Sequence, residues 1–420
     1  MAGRDDFSLR RFVVPVFGPS VLFAVGEGAI LPVVPLTARD LGGSIAVAAV
    51  IVTLIGVGSL LSNIPASIVT ARVGERWAIV AAAALCAVGM LTALLAPNLA
   101  VLAIAVFLIG SSGAVFNLAR QLYLTVMVEP RYRARALSSL GGSMRIGLFI
   151  GPFVGAAVMQ LTGLGGAYLV GVVALVAAGA IALSMPDPPM PTRSIPVVTT
   201  DALAGGTSSA GPRADQPERP STGSAVTIRS VLRSHARIYA TIGVAVIFVS
   251  AIRQARQVVI PLWAESLGLD PSATSLVYGI SGAVDMLVFY PAGKLMDTRG
   301  RLAVAAPSMA VMGVALLLCP LTTTTVPFLL VAMMLGFGNG IGSGLVMTLG
   351  ADYSPSDGRV QFLGVWRFMA DAGSTAGPLV LSAVTDAVSL AAGVSVTGVL
   401  GLIAAVLFVI LLPRIKPIRA

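Results

Sequence analysis

The chain has 420 residues, length enough for about three soluble domains of roughly 150 residues each, yet 56% of it is apolar and only 11% is charged. Soluble globular proteins carry about 25% charged residues, and here the few charges sit between long apolar runs. This excludes disorder, a coiled coil, a collagenous fibre and a disulfide-stapled secreted domain, and the unbroken runs exclude a transmembrane β-barrel, whose strands alternate. The composition predicts an all-α polytopic membrane protein.

About 20 apolar residues cross a bilayer as a helix. Twelve runs meet that length, near 12–37, 45–71, 78–96, 99–128, 137–161, 166–185, 237–264, 272–296, 303–321, 326–351, 360–386 and 390–413. The short charged N-terminal tail leads into a full-length span, so no cleaved signal peptide is expected. Between the sixth and seventh runs, 186–236 is rich in Pro, Ser, Thr, Gly and Asp and predicts a mostly disordered linker. Its end, Ile228-Arg229-Ser230-Val231-Leu232-Arg233, alternates apolar and basic residues at helical spacing and predicts a short amphipathic helix on the membrane surface. The predicted organisation is an N-terminal six-helix bundle over 1–185, the linker over 186–236 and a C-terminal six-helix bundle over 237–420.

The net charge of +9 is a matter of topology. Of 27 Lys and Arg, 21 lie in the termini or in alternate loops, while the intervening loops carry only Arg39. That asymmetry places both termini in the cytoplasm with an even number of spans, and leaves nucleic acid out as a partner. Cys86 and Cys319 lie inside apolar runs without disulfide or metal spacing. The one histidine, His235, falls in a cytoplasmic segment. Neither a metal site nor a cofactor is expected. With 25 Arg against 2 Lys the composition hints at a GC-rich genome, and the membrane expected is a bacterial inner membrane.

An internal repeat runs at a constant offset of 226 residues. Pro35-Leu36-Thr37-Ala38-Arg39-Asp40-Leu41-Gly42 matches Pro261-Leu262-Trp263-Ala264-Glu265-Ser266-Leu267-Gly268 in five of eight places. Gly74 maps to Gly300, Gly110 to Gly336, Arg133 to Arg359, and Gly151-Pro152 to Gly377-Pro378. Two six-span halves follow, with a site at their interface near the bilayer midplane.

With these residues in place, the chain resembles a transporter of the major facilitator superfamily over essentially its whole length outside the linker. The family's loop signature stands in the second half as Gly293-Lys294-Leu295-Met296-Asp297-Thr298-Arg299-Gly300-Arg301, with Thr298 replacing a basic residue. In the first half Ser67, Ala71, Arg72, Gly74 and Arg76 occupy the corresponding places. Span 5 carries Gly147-x-x-x-Gly151-Pro152-x-x-Gly155, similar to the antiporter motif of drug:proton exchangers; Gly373-x-x-x-Gly377-Pro378 repeats part of it in span 11, which is also what shared helix packing would give. Val106 stands where many drug exchangers have an arginine. The resemblance implies that spans 1, 4, 7 and 10 line a central cavity.

Ionisable groups inside the spans are few: Arg120, Arg145, Arg253, Arg256 and Arg367 against Glu27, Asp285 and Asp371. Each costs about 2.5–3.5 kcal/mol at a helix centre and should face a cavity or a partner. The offset equates Glu27 with Arg253 and Arg145 with Asp371, placing opposite charges at equivalent depths. Glu27 reads as a proton carrier or as the ion-pair partner of Arg253 or Arg256. Asp285, equivalent to Ser59, needs a partner from another helix. Asp371 lies one turn after Arg367, so an ion pair with it is the simpler role. Arg253 and Arg256 share a face and want counter-ions or an anionic substrate group, and Arg120 and Arg145 serve gating, packing or substrate contact. Asn63, Asn117, Gln121, Gln254 and Asn339 are hydrogen-bonding candidates; Tyr123, Phe289 and Tyr290 would line an apolar cavity or pack in the core. Trp77 and Trp263 read as interfacial anchors, while Trp366 fits either role.

No nucleotide-binding phosphate loop occurs, so ATP does not drive the protein directly, and the GxxxG pairs speak for close helix packing. The expectation is not an enzyme but a monomeric secondary transporter working by alternating access, exporting a small amphipathic or hydrophobic molecule in exchange for protons. Glu27 is the preferred proton-titrating group and Asp285 the second. Transport of an organic anion or metabolite, by symport or uniport, is the alternative, and a non-transporting membrane sensor a more remote one.

Overall fold

A computed structural model describes residues 17–128, 130–186, 228–355 and 358–415. The N-terminal tail, the linker over 187–227 and the basic residues Lys416 and Arg419 lie outside the described residues. The described chain is helical throughout: α1 Gly18–Ile30, α2 Val34–Asp40, α3 Ile45–Val73, α4 Glu75–Leu94, α5 Leu99–Met127, α6 Pro130–Thr162, α7 Gly166–Leu183, α8 Ile228–Ser234, α9 Val244–Ser266, α10 Pro271–Arg299, α11 Leu302–Leu318, α12 Thr325–Ile341, α13 Leu345–Tyr353, α14 Arg359–Ala387 and α15 Leu390–Leu411.

Among the described residues ten segments are long and apolar enough to cross a membrane. One of them, 139–183, holds both α6 and α7 around the turn Gly163–Gly165. The 29-residue α14 falls outside that set because Gly, Ser, Thr and the charges Arg359, Arg367, Asp371 and Asp386 dilute it. The arrangement fits the twelve expected spans. The sequence predicts span 10 as one run, 326–351; the structure breaks it into α12 and α13 at Gly342-Ser343-Gly344, with Gly344 left-handed at φ 79°. Four glycines at alternate positions, Gly338 to Gly344, withhold the side-chain packing that would hold the helix through that stretch. Its counterpart in the first half, Phe116-Asn117-Leu118, stays inside the continuous α5.

The 226-residue repeat is also a three-dimensional one. Ser44 caps α3 by accepting from the Val47 amide, and its mate Asp270 caps α10 by accepting from the Ser272 and Ala273 amides. The preceding Gly42 and Gly268 have φ 82° and 76°, and the loop residues Gly74 and Gly300 both have φ 84°, a left-handed turn that favours glycine. The proline kinks also coincide, Pro65 with Pro291 and Pro152 with Pro378.

Helix packing follows the same rule. In the first half α1 packs on α6 and α7, α5 on α3 and α4, and α4 on α7; in the second, α9 packs on α14 and α15, α12 on α10 and α11, and α11 on α15. Glycine makes these approaches possible: a Cβ on Gly110 would overlap the Ile55 carbonyl, and one on its mate Gly336 would overlap the carbonyl of Ser281, the mate of Ile55. Gly147 and Gly151 meet the Val21 and Val25 carbonyls as Gly373 and Gly377 meet those of Ile247 and Ala251, again at the constant offset. In an apolar solvent, where hydrophobic burial drives little, this backbone-to-backbone contact is what joins the helices. The halves meet through α6 on α10 and α3 on α14. Short helix α8 forms where the alternating pattern predicts one and lies on α14, with Val231 buried and Leu232 exposed.

Candidate functional site

The bundle has two ends. One, the linker end, carries the Gly74 and Gly300 loops and the α7-to-α8 connection; the far end carries the α2-to-α3 and α9-to-α10 turns. At the far end the halves are shut against each other. Arg39 Nε donates to Glu265 Oε1 and Oε2 at 3.0 and 3.3 Å, and Ser382 Oγ donates to the Ala46 carbonyl at 2.9 Å in a buried contact. Gly279 sits flat against the Phe153 ring. Toward the linker end Leu61, Leu287, Tyr290, Met347 and Phe368 are all more than half exposed.

Between these levels lies a cavity of about 440 Å³, walled by Leu31 just after α1, Met144, Arg145, Leu148 and Phe149 of α6, Arg256 and Gln257 of α9, Tyr278, Asp285 and Met286 of α10, and Asn339 of α12. Arg256, Asp285 and Asn339 form one connected network on this wall. Asn339 Nδ2 donates to Asp285 Oδ2 at 2.6 Å, and Arg256 Nη2 reaches the same oxygen at 4.0 Å. Arg256 Nη1 donates to Ser281 Oγ at 3.2 Å, which donates on to the Ala332 carbonyl at 2.6 Å. Arg253 Nη2 donates to the Asn339 carbonyl at 3.0 Å. Asp285 Oδ1 is buried with no hydrogen-bond partner among the described residues. Across the cavity, Arg145 Nη2 donates to Ser343 Oγ in the broken span at 2.6 Å, and its guanidinium lies 4.0 Å above the Phe289 ring.

Glu27 stands elsewhere. It does not line the cavity and makes no ion pair within 4 Å among the described residues, so pairing with Arg253 or Arg256 is overturned. The charge acting on it is Arg120, inside the first half. One turn earlier Phe23 and Phe116 stack at 4.0 Å, which sets these helix faces together, and Arg120 leans on the Phe116 ring at 5.9 Å.

The other candidate residues lie in several places. Tyr123 is fully buried and its hydroxyl donates to the Pro186 carbonyl, so it is core and lines no cavity. Gln254 bonds to Gln257 at 3.2 Å, and Asn117 is exposed outside the cavity wall. Arg367 is 76% exposed and lies 3.9 Å from Asp371, the local i,i+4 pair. Trp263 is buried with its ring nitrogen donating to Thr322 Oγ1 and is no interfacial anchor, and Trp366 is buried with its ring nitrogen donating to the Val346 carbonyl. Trp77 is 52% exposed beneath Arg76.

At the linker end Arg301 makes a two-pronged contact with Asp352, Nε to Oδ2 at 2.7 Å and Nη2 to Oδ1 at 3.2 Å, with Asp297 at 3.9 Å. The hydrogen bonds to Asp352 hold the Arg301 pKa above its ordinary value. Asp297 and Arg299 are exposed around it and Gly293 is half-buried. In the first half Arg76 Nη2 donates to the Leu183 carbonyl at 2.7 Å, and Arg72 is exposed.

The Major Facilitator Superfamily model matches residues 17–359 and 242–420. The chain belongs to the major facilitator superfamily. No curated protein sequence matches it. Among solved structures it is similar to a bacterial homolog of the human lysosomal transporter Spinster in an inward-facing, unoccupied conformation, at TM-score 0.73 and 14% identity over 97% of both chains. It is also similar to a POT family transporter in complex with a thioalcohol-conjugated peptide, at TM-score 0.74 and 12% identity over 96% of both chains. A D-xylose–proton symporter matches at TM-score 0.70 and 13% identity over 95% of this chain and 97% of that one. At such identities the likeness carries the fold. The protein is a multi-pass membrane transporter of this superfamily, an assignment to a carrier and not to an enzyme.

The sequence reading named neither Ser281, Ser343 nor Asp352. Ser281 and Ser343 orient Arg256 and Arg145, and hydroxyls of this kind leave no mark in a hydropathy pattern. Asp352 falls where the first half has Val126, so the repeat does not announce it. The far-end pair had a signal, because Arg39 and Glu265 are opposite charges at repeat-equivalent positions, which a two-fold axis brings face to face.

Proposed function

We propose that the protein is a proton-coupled secondary transporter of a small amphipathic organic compound, with Asp285 as the proton-carrying group and Arg256 as its switchable partner. The observation that carries this reading is the Arg256–Asp285–Asn339 network on the wall of the interface cavity. One carboxylate oxygen is engaged, while Oδ1 is buried and free to take a proton. Protonation cancels the attraction to Arg256, and losing that contact on one side of the membrane and regaining it on the other ties proton movement to rocking of the halves. Glu27 has no place on the cavity wall, so the coupling role passes to Asp285.

The linker end carries Arg72, Arg76, Arg299, Arg301 and Arg359 against Arg39 alone at the far end, which supports placing it in the cytoplasm of an inner membrane. Closure at the far end then reads as a carrier shut on the side away from the linker, with 1–185 and 237–420 as the rocking units. The Gly-Pro signature of α6 has a structural counterpart in α14, where the same glycines meet the same carbonyls of the partner helix. It therefore speaks for packing in both halves, and export by antiport is left without support of its own.

Purified protein in proteoliposomes loaded with a pH-sensitive dye tests the coupling. Addition of a transported compound moves protons in the wild type and not in Asp285→Asn, and Glu27→Gln keeps the coupling. Wild-type flux indifferent to an imposed pH gradient overturns the proposal.

A further inference from the structure

The cavity carries an imbalance of charge that the coupling network does not use. Its wall holds two guanidiniums, Arg145 and Arg256, and one carboxylate, Asp285; Arg253 stands just behind, coupled electrostatically to all three. Asp285 meets Arg256 at 4.0 Å, a separation that leaves the guanidinium open to a closer anion. Arg145 and Arg253 have no carboxylate within 4 Å among the described residues. The partners of Arg145 are neutral: the Ser343 hydroxyl and the face of Phe289, which orient the cation without cancelling it. A half-buried cation in apolar surroundings is costly without a counter-ion, and an oriented guanidinium matches the two oxygens of a carboxylate.

We propose that the transported compound is an organic anion, with a single carboxylate taken between Arg145 of one half and Arg256 of the other and an apolar body laid against Met144, Leu148, Phe149 and Met286. This rests on the reading that the cavity is the transport site, and goes beyond it by specifying the charge of the cargo. The two arginines come from opposite halves, so one bound carboxylate ties both together at the centre of the rocking interface. A cationic amphiphile of the same size meets an uncancelled guanidinium instead and is repelled.

The experiment uses full-length protein in nanodiscs and three homologous probe series, aliphatic and phenyl-substituted carboxylates of graded length, their primary amides and the corresponding amines, with equilibrium binding read by calorimetry. At least one carboxylate binds tenfold or more tightly than its amide, and the amines do not bind. Arg145→Gln removes that preference, Arg145→Lys keeps part of it, and Arg233→Gln on the exposed face of α8 changes nothing. Among the described residues Arg145 has no carboxylate partner to orphan, so its substitution leaves the ligand-free melting temperature near wild type. Equal binding of amides or amines across the series, no carboxylate binding at all, or a preference that survives Arg145→Gln overturns the proposal. The proton reading fails independently: a neutral compound driven by a pH gradient sinks the anion claim alone, and carboxylate flux blind to the gradient sinks the coupling claim alone.

Discussion

Breaking the Arg39–Glu265 contact should bias the carrier toward opening at its far end. The single Arg39 Nε–H is shared between the two carboxylate oxygens, at 3.0 and 3.3 Å, and each side chain is 33% exposed. Two unit charges at about 4 Å attract by about 4 kcal/mol at an effective dielectric of 20 and about 1 kcal/mol in water. Partial exposure and side-chain ordering pull the net value toward the range of surface pairs, and the charge-assisted contact of an arginine already held by its Nη1 bond to the Gly43 carbonyl sets it near the top of that range, about 1 kcal/mol. This contact is lost when the far end opens, so removing it shifts the open-to-closed ratio about fivefold, since 1.4 kcal/mol is tenfold. Spin labels at Leu161 and Val388, both exposed at that end in opposite halves, report the distance distribution, and Cys86 and Cys319 are buried away from the label. Arg39→Gln and Glu265→Gln each raise the long-distance population, the double variant adds little, and the charge swap Arg39→Glu with Glu265→Arg restores the wild-type ratio. Raised salt shrinks the effect. Additive single shifts, or no shift at low ionic strength, refute the reasoning.

Two further outcomes test the packing and the linker-end contact. Gly110→Ala and Gly336→Ala drive a methyl group into the carbonyls of Ile55 and Ser281 and should each cost about 1–3 kcal/mol, whereas Gly113→Ala meets nothing within 4 Å and should be neutral or slightly stabilising; equal melting temperatures in detergent for all three refute the assignment. Asp352→Asn removes the charge-assisted contact to Arg301, whose side chain is 30% exposed, at about 1–2 kcal/mol. Because the folded Arg301 pKa is raised, its contribution is fully present below the unfolded value and fades only as pH rises through the still higher folded one. The Asp352→Asn penalty therefore stays constant from neutral to moderately alkaline pH, and thermal melts showing it vanish there contradict the contact.

The legibility of the fold and of the site differed for physical reasons. Hydropathy located the helices because a membrane span must satisfy its own backbone and bury its polar groups, whatever its neighbours are. The ungapped repeat paired Gly110 with Gly336, Gly151 with Gly377 and Gly74 with Gly300, and in the structure the members of each pair occupy equivalent helix contacts or turns. The intramembrane charges were also visible one by one. Their partners were not: periodicity gives the depth of a side chain along its helix, and says nothing about which neighbour its face meets.

The amino-acid order alone determined a two-fold bundle of membrane helices, the end that gathers the basic loops, and the short roster of ions that must be sheltered from lipid. Each is a local or additive property, the sum of transfer energies along a run or the recurrence of one residue at one spacing. Only tertiary packing decided that Asp285 takes Arg256 and Asn339, that Glu27 answers to Arg120 inside one half, that Arg145 faces a cavity without a counter-ion among the described residues, and that Arg39 meets its own repeat mate across the axis. Those choices depend on how helices rotate about their axes when glycine lets backbones touch, and that rotation is a property of the assembled bundle.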